Sequence, residues 1–189
     1  MPKIAVVGNI ASGKSVVTDY LASMGYRVYD ADIIAHEILE TSEEVYSAFK
    51  NYDVFEQGVI SRKKLGALVF FNQDLKKQLE NIIHPLVRLR IENLQSEDLI
   101  FVAIPLLFEA KMEDIFDKII FISASEDIRL QRLMARNSYT KEEAMARIKS
   151  QAPEVDKIQQ SDYLIENNSD LENLRLQINN ILEKITFPC

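Results

Sequence analysis

A chain of 189 residues with net charge −7 and 47% apolar residues is long enough to bury a core without disulfides or structural metal. Its acidic balance argues against general nucleic-acid binding, and no apolar run approaches a membrane span. The single cysteine, Cys189, excludes an internal disulfide framework or a Cys-based zinc site. The start at Met1-Pro2-Lys3-Ile4 leaves no room for a signal peptide, so a cytoplasmic protein is expected.

Ile4-Ala5-Val6-Val7 reads as a first buried strand, and Gly8-Asn9-Ile10-Ala11-Ser12-Gly13-Lys14-Ser15 follows it. Two of only five glycines sit here in the P-loop spacing, ahead of a helix over 14–24 that closes near Gly25. Glycines let successive N–H groups curl around phosphate oxygens, and the helix N-terminus adds its dipole. Gly8 to Val16 are the expected ATP-binding segment, with Lys14 on the β- and γ-phosphates and the Ser15 hydroxyl on Mg²⁺.

Arg27–Tyr29 reads as a second strand, ending at Asp30-Ala31-Asp32. Ligands in open α/β sheets bind beyond the carboxyl ends of strands. Asp32 is therefore the expected general base and Asp30 the cap of the next helix; the alternative is that both merely cap. Residues 30–98 then show helical periodicity with no strong strand, a helical insertion that either seats a substrate or covers a sheet edge. Further strands are expected at Leu99–Ile104, Lys118–Ile122 and Tyr163–Ile165. Capping boxes at Ser123/Glu126, Thr140/Glu143 and Ser169/Glu172 would open three helices. The last helix carries Leu171, Leu174, Ile178, Ile181, Leu182 and Ile185 in one stripe.

Five strands alternating with helices predict an α/β fold, a parallel five-stranded sheet of P-loop kinase type with helices on both faces. No Asn-Lys-x-Asp guanine-reading motif occurs, and the chain is short for a motor core, which leaves a small-molecule kinase. Arg129, Arg132 and Arg136 share one helical face. That face is either a solvated surface or the base of a cationic lid hinged at Arg136-Asn137-Ser138-Tyr139-Thr140.

With these segments in place, the chain resembles the dephospho-coenzyme A kinases along nearly its whole length. The resemblance runs through the P-loop, Tyr29-Asp30-Ala31-Asp32-Ile33-Ile34-Ala35, Gly58-Val59-Ile60-Ser61-Arg62, Val69-Phe70 and Leu79-Glu80-Asn81-Ile82-Ile83-His84-Pro85. It continues in Ile104-Pro105-Leu106-Leu107-Phe108-Glu109, in Arg129 to Arg136, in Arg147-Ile148 with Gln151, and in Asp162 to Asn167. It implies ATP-dependent phosphorylation of the ribose 3′-hydroxyl of dephospho-CoA, with Mg²⁺, and no nucleic-acid, membrane or obligate protein partner.

By that resemblance Asp32 and Lys14 are catalytic, with Arg136 from the lid, and Arg147 binds ATP. His84 joins Asp32 at the acceptor, and His36 is a surface helix residue. One kinase domain then divides into a core of 1–30 and 99–189, an acceptor-binding insertion of about 31–98, and a lid of about 136–152. The chain departs from the family's usual pattern at Val7, Asn9, Ala11, Val16 and Ala103. Ala11 can supply the same backbone N–H if its φ/ψ is unstrained, and Ala103 removes a carboxylate that could reach Mg²⁺ through water. The P-loop wording also resembles deoxynucleoside kinases, and a non-catalytic nucleotide-binding regulator is a further alternative.

Overall fold

The computed structural model describes residues 2–186. Contacts divide the chain into two compact units, 1–29 with 96–189, and 30–95.

The first unit is built on a five-stranded sheet of order β2-β5-β1-β6-β7. The strands are β1 (Lys3–Gly8), β2 (Arg27–Asp30), β5 (Ile100–Ala103), β6 (Lys118–Ser123) and β7 (Tyr163–Glu166). β1 lies at the centre, parallel to β5 in the register Ala5↔Val102 and to β6 in the register Val6↔Ile120, and β7 continues parallel on β6. All five strands expected from the apolar runs are present, to within one residue at most ends. The order follows from burial: β1, β5 and β6 are nearly continuous in Val, Ile and Phe, and such strands belong in the middle of a sheet covered on both faces.

One face packs on α1 (Lys14–Ser23) and α9 (Leu171–Thr186). There Ile4, Val6, Phe101, Ile120, Ile122 and Ile165 meet Val17 and Leu21 from α1 and Leu174, Ile178, Ile181 and Leu182 from α9. The opposite face, with Ala5, Val7, Val102, Ile119 and Phe121, is equally buried. The α9 stripe is as read from the sequence except at its first member, since Leu171 is exposed.

Helix ends are set by local chemistry. α1 closes in a Schellman turn, where Gly25 (φ 93°) donates to Ala22 O and Tyr26 to Leu21 O. The capping box of α7 (Lys141–Lys149) is present in full at Thr140 and Glu143. The other two expected boxes shift. α6 (Glu126–Asn137) is capped by Ser125, because the Ser123 hydroxyl donates to Glu154 instead. At α9 the Asp170 carboxylate, rather than Ser169, accepts the Asn173 N–H. The short helix α8 (Glu154–Gln159) precedes β7.

The second unit holds α2 (Ala31–Thr41), α3 (Glu43–Phe49), α4 (Arg62–Phe70) and α5 (Gln73–Glu92). It also contains a feature the periodicity does not reveal, a hairpin of two-residue strands β3 (Phe55–Glu56) and β4 (Val59–Ile60). Gln57 and Gly58 both take positive φ (51° and 84°), the requirement of a type I′ turn. Two residues per strand are too few to show alternation. Among the described residues no helix is long and apolar enough to cross a membrane.

Ile178 sits at 2% exposure between α9 and the sheet. Its replacement by alanine is expected to destabilise the fold by about 2–5 kcal/mol in urea denaturation; a loss under about 1 kcal/mol would contradict the assigned packing.

Candidate functional site

The loop from Gly8 to Ser15 leaves the central strand and enters α1. Its backbone conformation is extreme where the sequence turns most sharply. Gly13 lies at φ 100°, and a Cβ there would overlap the Asn167 side-chain amide. Gly8 is confined by packing: a Cβ would come within 2.5 Å of Ser12 Oγ and 2.7 Å of Ile122 O. Ala11 sits at φ 61°. The condition of an unstrained backbone at Ala11 is therefore not met. An L-residue in the left-handed region brings its Cβ against the following carbonyl, at a cost of roughly 1–2 kcal/mol.

The loop is gripped from outside by side chains far away in sequence. Arg132, from α6, donates Nη1 to Ala11 O (3.3 Å) and Ser12 O (3.1 Å), and Nη2 to Asn167 O (3.2 Å). Asn167, just after β7 and 5% exposed, donates its side-chain amide to Ser12 O at 2.8 Å. Gln151 Oε1 accepts the Ile10 N–H at 2.7 Å. Lys157, on α8 and 6% exposed, donates to Glu109 Oε1 (2.7 Å) and Asn9 Oδ1 (3.4 Å). The Ser12 N–H turns back to Asn9 O. Ile10 and Ser12 thus spend their N–H groups on the protein. Gly13, Lys14 and Ser15 open the helix, where N–H groups have no intrahelical acceptor.

That arrangement sets a helix N-terminus, with its first-turn N–H groups, at the end of a loop backed by the half-buried Arg132 guanidinium. Burial pushes the Arg132 guanidinium below its ordinary pKa, yet arginine stays charged across the biological range. Such a helix N-terminus binds phosphate. Ser15 and Val16 are exposed at the first turn of α1.

The three arginines of α6 do not share one role. Arg129 is buried and paired with Glu154 at 3.3 Å, and Arg132 lies under the loop. Only Arg136 is exposed, its Nε donating to Asn137 at 2.9 Å. A solvated basic face is thus ruled out for two of the three. Between α6 and α7, Ser138 takes φ 54°. Arg147, exposed on α7, lays its guanidinium over the Tyr139 ring at 4.5 Å from the centroid.

In the second unit, the Asp30 side chain accepts the Asp32 N–H at 2.8 Å and so caps α2. The Asp32 carboxylate is exposed on the first turn and is not the cap. His84 is half-buried on α5, one residue before Pro85 in the helix interior, and His36 is half-buried on α2. Ala103, 4% exposed, ends β5 with no acidic group.

The sequence reading did not find Arg132, Asn167 and Lys157 as supports of the loop. Arg132 and Asn167 stood in matched motif segments and Lys157 in none; the contacts join residues 120 to 155 positions apart.

Comparison with known proteins bears on this geometry. A family model described as dephospho-CoA kinase matches residues 3–173. A curated dephospho-CoA kinase from Carboxydothermus hydrogenoformans is 41% identical, with 97% of this chain and 94% of that protein covered. The solved dephospho-CoA kinase from Campylobacter jejuni superposes with a TM-score of 0.76 at 32% identity, over 97% of this chain and 96% of that one. A shikimate kinase from Acinetobacter baumannii in complex with shikimate shares the fold, with a TM-score of 0.60 at 16% identity over 98% and 93% of the two chains.

Ala11→Gly is expected to raise stability by about 0.5–1 kcal/mol, since relief of the left-handed strain exceeds the extra chain entropy of glycine. Chemical denaturation measures it, and a net loss would show that Ala11 is not strained.

Proposed function

The chain belongs to the dephospho-CoA kinase family, and on that footing we propose that its P-loop seats the phosphates of ATP while Asp32 takes the proton of the acceptor hydroxyl. Its reaction is phosphorylation of the ribose 3′-hydroxyl of dephospho-CoA by ATP, giving CoA and ADP, the last step of coenzyme A biosynthesis. The observation that carries the site assignment is the loop itself, braced from outside by Arg132 and Asn167 and running straight into the start of α1.

In this reading Lys14 and the N–H groups at the start of α1 hold the β- and γ-phosphates. As Asp32 draws off its proton, the acceptor oxygen bonds to the γ-phosphorus. The bond from that phosphorus to the β,γ-bridging oxygen breaks, and ADP departs with the electron pair. Support for Asp32 comes from its neighbour: Asp30 does the capping, so the exposed Asp32 carboxylate is not needed for the helix end. His84, in the same unit, is assigned to the acceptor, and residues 30–95 form its platform. Arg136 and Arg147 are assigned to a lid over about 136–152, where both are exposed cations beside a left-handed Ser138.

Mg²⁺ accompanies ATP in this scheme. The donor set fits an ion held mostly by phosphates and water, since Ser15 offers one exposed hydroxyl and Ala103 none. The ion would neutralise phosphate charge when bound. The same reading puts the protein in the cytoplasm with ATP and dephospho-CoA, without nucleic acid, membrane or obligate protein partner.

ADP release from Mg·ATP, with dephospho-CoA and deoxynucleosides as parallel acceptors, tests the substrate; turnover only with deoxynucleosides would overturn it. Asp32→Asn is expected to keep ATP affinity and lose about 100-fold or more in turnover. Near-normal turnover would remove Asp32 from the reaction. Lys14→Ala should weaken both nucleotide binding and rate; if both survive, the loop does not hold the phosphates.

A further inference from the structure

Ile10 is held twice. Its side chain packs against a small core of Leu130, Leu133, Ala144 and Ile148, supplied by α6 and α7. Its N–H goes to Gln151 Oε1 at 2.7 Å. Gln151 stands two residues beyond the last turn of α7, and its own N–H returns to Ile148 O. Arg147 lies four residues earlier, so the end of α7 and the phosphate loop share one short mechanical linkage.

A loop N–H that is not turned to phosphate needs a partner. A glutamine oxygen supplies that partner from the α7 side rather than from the sheet. Any turn of α7 about Ser138, at φ 54°, therefore acts on Ile10 and on the strained Ala11 beside it.

We propose that Gln151 is a positioning residue, tying the third residue of the phosphate loop to the end of α7 so that the loop and Arg147 are set in register for phosphoryl transfer. This rests on the reading of the loop as the ATP phosphate site. The linkage governs how the terminal phosphate is presented more than how tightly the nucleotide is held, because Arg132 and Asn167 support the Ala11–Ser12 carbonyls independently.

Gln151→Met keeps length and removes the acceptor. With dephospho-CoA as acceptor, kcat is expected to fall about tenfold, the scale of a sub-ångström misplacement, while ADP affinity stays within about twofold. Amide exchange at Ile10 should accelerate about tenfold with no change at Ile4–Val7 in β1. Unchanged kcat or unchanged Ile10 exchange would overturn the proposal, as would parallel loss of ADP affinity and of β1 protection, which marks general loosening. Gln151→Glu retains an acceptor oxygen and should keep Ile10 protected even if the Met variant does not fold; an unprotected Ile10 in it also overturns the proposal. Lys14→Ala run alongside separates the two readings. If that variant binds ADP normally, the loop assignment fails; if it does not and Gln151→Met matches wild type, only the role of Gln151 fails.

Discussion

A loop that turns its N–H groups inward around a phosphate must turn carbonyls outward, and those carbonyls need donors from the surrounding protein. Here the donors are Arg132 and Asn167, which between them satisfy Ala11 O and Ser12 O. Arg132 loses part of its hydration under the loop, and that desolvation lowers its pKa. Three carbonyl acceptors offset it, and the planar fork of the group reaches all three without rearrangement. Lysine could not do so from one position. The phosphate loop at the N-terminus of the fold is thus shaped by α6 and by the end of β7, and is incomplete without them.

The same contacts explain how a protein of net charge −7 can bind a polyphosphate. Screening confines exposed charges to about 8 Å at physiological salt, so the sum over the surface matters less than the few groups at the loop. Arg132 reaches it from a half-buried position, and Lys157 is buried against it with its own counter-ion in Glu109. Glu109 closes the Pro105–Glu109 segment through which the family resemblance runs. Its carboxylate has a structural task here, pairing the cation that touches Asn9.

The parts legible in the sequence are those with local causes. Continuous apolar runs marked all five strands of the sheet, P-loop spacing marked the strand–loop–helix junction, and Asp30 announced the cap of α2. The family followed from ordered motifs and is borne out by relatives over nearly the full length. Caps at Ser125 and Asp170 were misplaced because several polar residues stand within two positions of each helix start, and only tertiary partners such as Glu154 decide among them. Arg129 and Arg132 looked alike on a helical wheel, yet one meets Glu154 and the other the loop, because a three-residue step turns them about 60° and carries them about 4.5 Å apart along the axis. The left-handed φ of Ala11 was not legible, since residue type alone does not set φ.

The claim that α6 shapes the phosphate loop is tested most directly by titrating ADP onto Arg132→Met, with circular dichroism confirming the fold. Loss of charged hydrogen bonds to two loop carbonyls predicts ADP binding weaker by about tenfold or more. Affinity within about twofold of wild type, in a folded variant, would contradict the account and leave the loop shaped by its own residues.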